Sequence, residues 1–158
     1  MPTLASSDTT IEECNRARIS VLFDANVLIK ALAQRGGPFH DALVALDPPL
    51  RLIGSLTLYE VAFAQRGWAP GTLEENQHAV RDWGFTQVRL TQKVAESFER
   101  LMDREASRLR AQTTLGDFLL VAWYRALSRP VVLATNNEKD FRPFSIPLVQ
   151  EFLPQVVP

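Results

Sequence analysis

Asp24 interrupts an otherwise apolar stretch, Ile19-Ser20-Val21-Leu22-Phe23-Asp24-Ala25-Asn26-Val27-Leu28-Ile29. The residues before it are β-branched, aliphatic or aromatic, which suits a short buried strand. Those after it continue through Ala31 and Leu32 at helical spacing. A carboxylate at such a junction stands where α/β folds place their chemistry, outside the carboxyl ends of the strands. The plainer reading of Asp24 is a helix N-cap. A chain built around this stretch is committed to strands whose ends face one edge of a sheet.

The remaining pattern repeats the alternation. Phe39 to Leu46 reads as a short helix, stopped by Asp47-Pro48-Pro49, and Leu50 to Ile53 as a second strand. Leu58, Val61, Ala62 and Ala64 follow at helical spacing, and Thr72 to Trp83 predicts a further helix before Gly84. Gln87 to Leu90 is a candidate strand and Gln92 to Ala111 a long charged helix. A helix from Thr114 to about Ser128 is apolar nearly all round, so it belongs against the sheet. Val131 to Ala134 is a buried-type strand, and Leu148 to Leu153 predicts a last one. Strands alternating with helices imply a mainly parallel sheet covered on both faces. Residues 1–17 read as a flexible N-terminal tail and residues 18–158 as one domain, a size at which a chain buries roughly 70% of its unfolded surface.

Bulk properties narrow the function. Cys14 is the single cysteine, so no intramolecular disulfide forms, which fits a reducing, cytoplasmic setting. No apolar run reaches the roughly 18 residues of a membrane span. The net charge of −1 is not that of a protein that grips nucleic acid by bulk charge. Any attraction for RNA or DNA must come from a local patch or from bound cations.

Three further acids lie at junctions like that of Asp24. Glu60 follows the second strand, Asp117 opens the buried helix, and Asp140 follows the Val131 strand. Each has a structural alternative. Thr57 and Glu60 fit the capping-box spacing, Thr114 and Asp117 do so more loosely, and Asp140 suits a turn. The conjunction argues for more. Two unit charges about 5 Å apart repel by roughly 3 kcal/mol at an effective dielectric of about 20. Four carboxylates make about six such pairs, a sum on the scale of a domain's stability of about 5–15 kcal/mol. Such a cluster wants a divalent cation, and all-oxygen ligands suit Mg²⁺ or Mn²⁺. The same arrangement suits metal-assisted phosphodiester cleavage.

Four motifs, Phe23-Asp24-Ala25-Asn26-Val27-Leu28, Leu58-Tyr59-Glu60, Gly116-Asp117-Phe118 and Ala134-Thr135-Asn136-Asn137-Glu138-Lys139-Asp140-Phe141, resemble those of the PIN-domain ribonucleases, including the VapC-type toxins. The resemblance implies a three-layer α/β/α sandwich with a mainly parallel sheet. It implies Mg²⁺- or Mn²⁺-dependent cleavage of RNA, with Asp24, Glu60, Asp117 and Asp140 at the family's acidic positions. Asn137 matches a polar position near the metal, and Thr135 and Asn26 support the site. It also implies a homodimer and, for the toxins, a small antitoxin partner. The stretch before Asp24 is longer than in the small toxins.

Other readings were weighed against this one. A phosphatase using Asp24 as nucleophile wants a second Asp two residues on, where Asn26 stands. A non-catalytic PIN-like partner-binding module would not need four acids. Glu96, Arg100, Arg104 and Arg108 share a helix face, with Arg110 close by, and interleaved acids favour an ion-paired surface. Lys139 and Arg142, flanking Asp140, are the stronger candidates for substrate contact. His40, His78 and Cys14 have no partner at metal-ligand spacing. Trp83 and Trp123 are assigned to the core, and Trp68 to an exposed or interface position.

Overall fold

The computed structural model describes residues 8–64, 72–105, 107 and 114–154. Four strands, β1 (Ser20–Phe23), β2 (Arg51–Gly54), β3 (Thr86–Val88) and β4 (Val131–Ala134), form one sheet in the order β3-β2-β1-β4. All three pairings are parallel. The α-helices are α1 (Ile11–Ala17), α2 (Ala25–Ala33), α3 (Pro38–Ala45), α4 (Ser55–Ala64), α5 (Leu73–Asp82), α6 (Gln92–Glu105), α7 (Leu115–Ala126) and α8 (Glu138–Phe141).

Strand residues alternate between two cores, as a sheet covered on both faces requires. Val21, Phe23, Ile53, Val132 and Ala134 point into one core with α2, α3 and α4. Leu22, Leu52 and Leu133 point into the other with α6 and α7. The three-layer α/β/α sandwich expected from the sequence is therefore the architecture of the chain. Trp123, 1% exposed, lies in the second core and donates its indole N–H to the Arg89 carbonyl. Trp83 packs against the first core. Both tryptophans have the structural role assigned to them; Trp68, Arg108 and Arg110 lie outside the described residues.

The chain runs from β1 out to β2 and β3 on one side, then returns to β4 on the other. The crevice outside the carboxyl ends of β1 and β4 is thus a topological switch point, where open α/β sheets bind ligands.

Two of the expected elements differ. Residues 11–17, read as part of a loose tail, form α1. Thr10 caps it, its side chain accepting from the Glu13 N–H, and Ile11 and Cys14 are buried. The strand expected over Leu148 to Leu153 shrinks to isolated bridges, Leu133 with Leu148 and Thr9 with Val149, before a 3-10 turn at Gln150–Phe152. Arg142, expected to meet substrate, is occupied by Asp8, in a bidentate pair at 2.8 and 2.6 Å, and by Glu138. It ties the segment before α1 to α8.

Candidate active site

The register Phe23↔Ala134 places Asp24 and Thr135 side by side, each just past its strand. Asp24 occupies the N-cap position of α2, yet its side chain makes no capping hydrogen bond. Its Oδ2 instead accepts from the Thr135 hydroxyl at 2.8 Å. Thr135 Oγ1 in turn accepts from the Asn137 backbone N–H at 3.0 Å. That bond leaves the hydroxyl proton aimed at Asp24. The plain capping explanation of Asp24 therefore falls away.

Glu60 lies within α4, which begins at Ser55, directly after β2. Thr57 is buried inside that helix, so Thr57 and Glu60 form no capping box at its start. Asp117 does form one: Thr114 Oγ1 accepts from the Asp117 N–H, and Asp117 Oδ2 accepts from the Thr114 N–H. Its cap and its place in the site coexist, because a carboxylate offers more lone pairs than one N–H uses. Gly116 sits against Glu60: a Cβ there would fall 2.5 Å from Glu60 Oε1. The missing side chain makes room for that carboxylate.

Asp24, Glu60 and Asp117, with Asn26, Asn137, Thr114 and Gly116, line a cleft of about 480 Å³. Asp140, 4% exposed, is not on its wall. It stands behind, accepting from the Asn137 side-chain amide, and its charge is felt at Asp117. The four acids are thus neighbours, three facing the cleft and one supporting it.

Their electrostatics are unfavourable as they stand. Asp24 is 5% exposed, and burial pushes its pKa up to about 7; the Thr135 hydrogen bond opposes this, while Asp117 and Glu60 add to it. Partial desolvation, and then the charge of Asp117, raise Glu60. Asp117 is raised by burial, opposed by its bonds to Thr114 and reinforced by Asp140. Burial and like charges both disfavour the ionised forms, the condition that a bound cation reverses.

The side chains facing the cleft offer oxygens, from the three carboxylates, Thr114 and the amides of Asn26 and Asn137, and this chemistry fits a hard divalent ion. Among the described residues, no group of three or more Asp, Glu, His or Cys side chains is arranged, as it stands, to hold a metal ion.

The sequence motifs named Asp24, Glu60, Asp117, Asp140, Asn137, Thr135 and Asn26; Thr114 and Gly116 went unassigned. The Gly116-Asp117 pair carried a signal for one of them, since glycine is a poor helix former and needs a spatial reason at a helix start.

No family model matches the sequence, and no curated protein matches it. Solved structures do. A toxin-antitoxin complex from Klebsiella pneumoniae matches with a TM-score of 0.59 at 23% identity, over 85% of this chain and 100% of that one. VapBC2 from Rickettsia felis, bound to a DNA fragment from its promoter, gives 0.65 at 19%, over 82% and 97%. FitAcB from Neisseria gonorrhoeae gives 0.63 at 13%, over 83% and 97%. The PIN-type fold that the motifs resemble is the fold this chain shares with chains of those assemblies.

Proposed function

We propose that the cleft is the active centre of a Mg²⁺- or Mn²⁺-dependent endoribonuclease, and that the chain is the toxin of a toxin-antitoxin pair. One observation carries the chemistry: Asp24, Glu60 and Asp117, from three separate elements, face one cleft at the sheet's switch point. In this reading Asp24, Asp117 and Glu60 hold the ion, with Asn137 beside them. The bound metal supplies a more acidic water and neutralises charge developing on the phosphodiester.

The chain's own residues do the positioning. Thr135 fixes the rotation of the Asp24 carboxylate. Thr114 fixes that of Asp117. Glu60, whose carboxylate lies over Gly116, is in this reading a ligand or the group that orients the attacking water. Asp140 serves through Asn137 rather than as a direct ligand.

The partner reading draws on the structural neighbours, one of which is described as a toxin-antitoxin complex. An antitoxin protein and a homodimeric assembly in the cytoplasm complete the proposal. Among the described residues, no helix is long and apolar enough to cross a membrane.

The deciding experiment is cleavage of mixed RNA with and without Mn²⁺, with Asp24→Asn as control. Mn²⁺-dependent cleavage that the variant lacks is the expected result. Equal cleavage by the variant would overturn the reading. Calorimetry with Mn²⁺ separates a catalytic centre from a non-catalytic PIN-like module, which need not bind the ion.

A further inference from the structure

The cleft does not end at the carboxylates. It shares Asn26 and Asn137 with a second hollow of about 240 Å³. That hollow shares Lys30 and Asn136 with a third of about 370 Å³, which ends at Phe39 and Leu153. The shared residues make the three one groove along the carboxyl edge of the sheet. Asn26 and Lys30 are four residues apart on α2, so they stand on one face about 6 Å apart along its axis.

The groove changes character along its length. Near the cleft it is lined by side-chain amides. Lys30 stands at its middle, its Nζ donating to Asn136 Oδ1 at 2.6 Å and lying 5.5 Å from the Phe39 ring centre. Asn136 is itself held, donating to the Phe152 carbonyl. The ammonium is therefore positioned by a neutral amide and an aromatic ring, with donors left over. Beyond it the walls turn apolar, with Phe39, Pro38 and Leu153 beside the Gln34 amide. Glu151 also lines this hollow and accepts from the Ile11 N–H. An anionic group fits near Lys30 and is repelled by Glu151, while a flat neutral ring with polar edges fits against Phe39, Pro38 and Leu153.

We propose that this groove is the track for single-stranded RNA on one side of the scissile bond, with Lys30 contacting a backbone phosphate and the Phe39 end receiving a nucleobase. The proposal rests on the nuclease reading of the cleft. It adds a direction: substrate extends from the carboxylates along α2 toward α3. On a chain of net charge −1, the Lys30 ammonium at the groove's centre supplies a local attraction that bulk charge does not.

The test uses labelled oligoribonucleotides in two series, extended only 5′ or only 3′ of one cleaved linkage. For the wild type with Mn²⁺, extension on one side alone is expected to raise kcat/KM. Lys30→Gln is expected to lower kcat/KM about tenfold on that series, chiefly through KM, and to reduce the salt slope of binding by about one. Lys30→Arg is expected to restore both. Phe39→Leu, which keeps apolar bulk against Phe152, is expected to weaken binding of that series about three- to tenfold. Thermal melts check that each variant folds. Binding of the same oligonucleotides to Asp24→Asn separates the two readings. If the wild type cuts RNA but neither Lys30→Gln nor Phe39→Leu distinguishes the two series, the track is overturned and the nuclease stands. If nothing is cut but binding still depends on Lys30, the nuclease reading fails and the track stands.

Discussion

Asp24 gathers the consequences of the site into one side chain. Its folded pKa, about 7, lies above the ordinary 3.8, so the folded state binds more protons than the unfolded state between those values. Stability from this group is full below about pH 4 and is lost as pH rises through about 7. The metal-free protein is therefore expected to be less stable at pH 8 than at pH 5.5 by about 2 kcal/mol, and to melt at a lower temperature there. Melts in chelator across that range check it, and Mn²⁺ is expected to abolish most of the slope. Asp24→Asn removes the charge and keeps the shape. It is expected to flatten the same slope and to raise the melting temperature at pH 8 while abolishing cleavage. A variant that melts lower than wild type at pH 8 would show that the buried charge is not the cost. The importance of Asp24 was legible in the sequence; that it accepts from Thr135 instead of capping α2 was not. That depends on the register of β1 against β4, set by residues more than a hundred positions apart.

At the scale of elements, α4 and α7 meet where Gly116 leaves room for Glu60. Gly116→Ala is expected to leave helix α7 as stable or more so, by up to about 1 kcal/mol, because alanine is the better helix former. The added methyl must displace the Glu60 carboxylate, so kcat/KM is expected to fall about 10- to 100-fold. Steady-state kinetics beside denaturant titration separate the two effects; a loss of both together would mean the helix moved instead. Thr114→Ala removes the hydroxyl that caps α7 and keeps the backbone N–H that anchors the Asp117 carboxylate, at about 1 kcal/mol of stability. The helices and strands themselves were legible from apolar periodicity. The failures have local causes. Thr10 and Glu13 carry the N-terminal signature of α1, but in a stretch polar enough to read as coil. Leu148 and Val149 supply only a dipeptide of strand-like residues between Pro147 and the polar Gln150-Glu151, too short to pair beyond single bridges.

For the whole molecule, the sequence fragments that matter for chemistry lie far apart and meet because a parallel sheet delivers β1 and β4 to one edge. The alternation of strands and helices made that edge foreseeable. The division of labour, with Asp140 behind the cleft and Arg142 fastened to Asp8, was not, since it depends on side-chain directions after the last turn. Arg142→Ala is expected to cost about 1 kcal/mol and to increase amide exchange in residues 8–17 before other regions. Hydrogen-exchange measurements resolved by segment check it; uniform loosening would place the effect elsewhere.

The stitching of residues 8–11 to residues 148–151 has a bearing on how such a chain is made. Leu148 donates to Asp8, Gln150 to the Thr9 carbonyl, and Ile11 to Glu151. Until residues 148–151 are in place, residues 8–11 lack these three bonds. Contacts between segments so far apart in sequence close a long loop, so they are expected to form late in folding and to slow it.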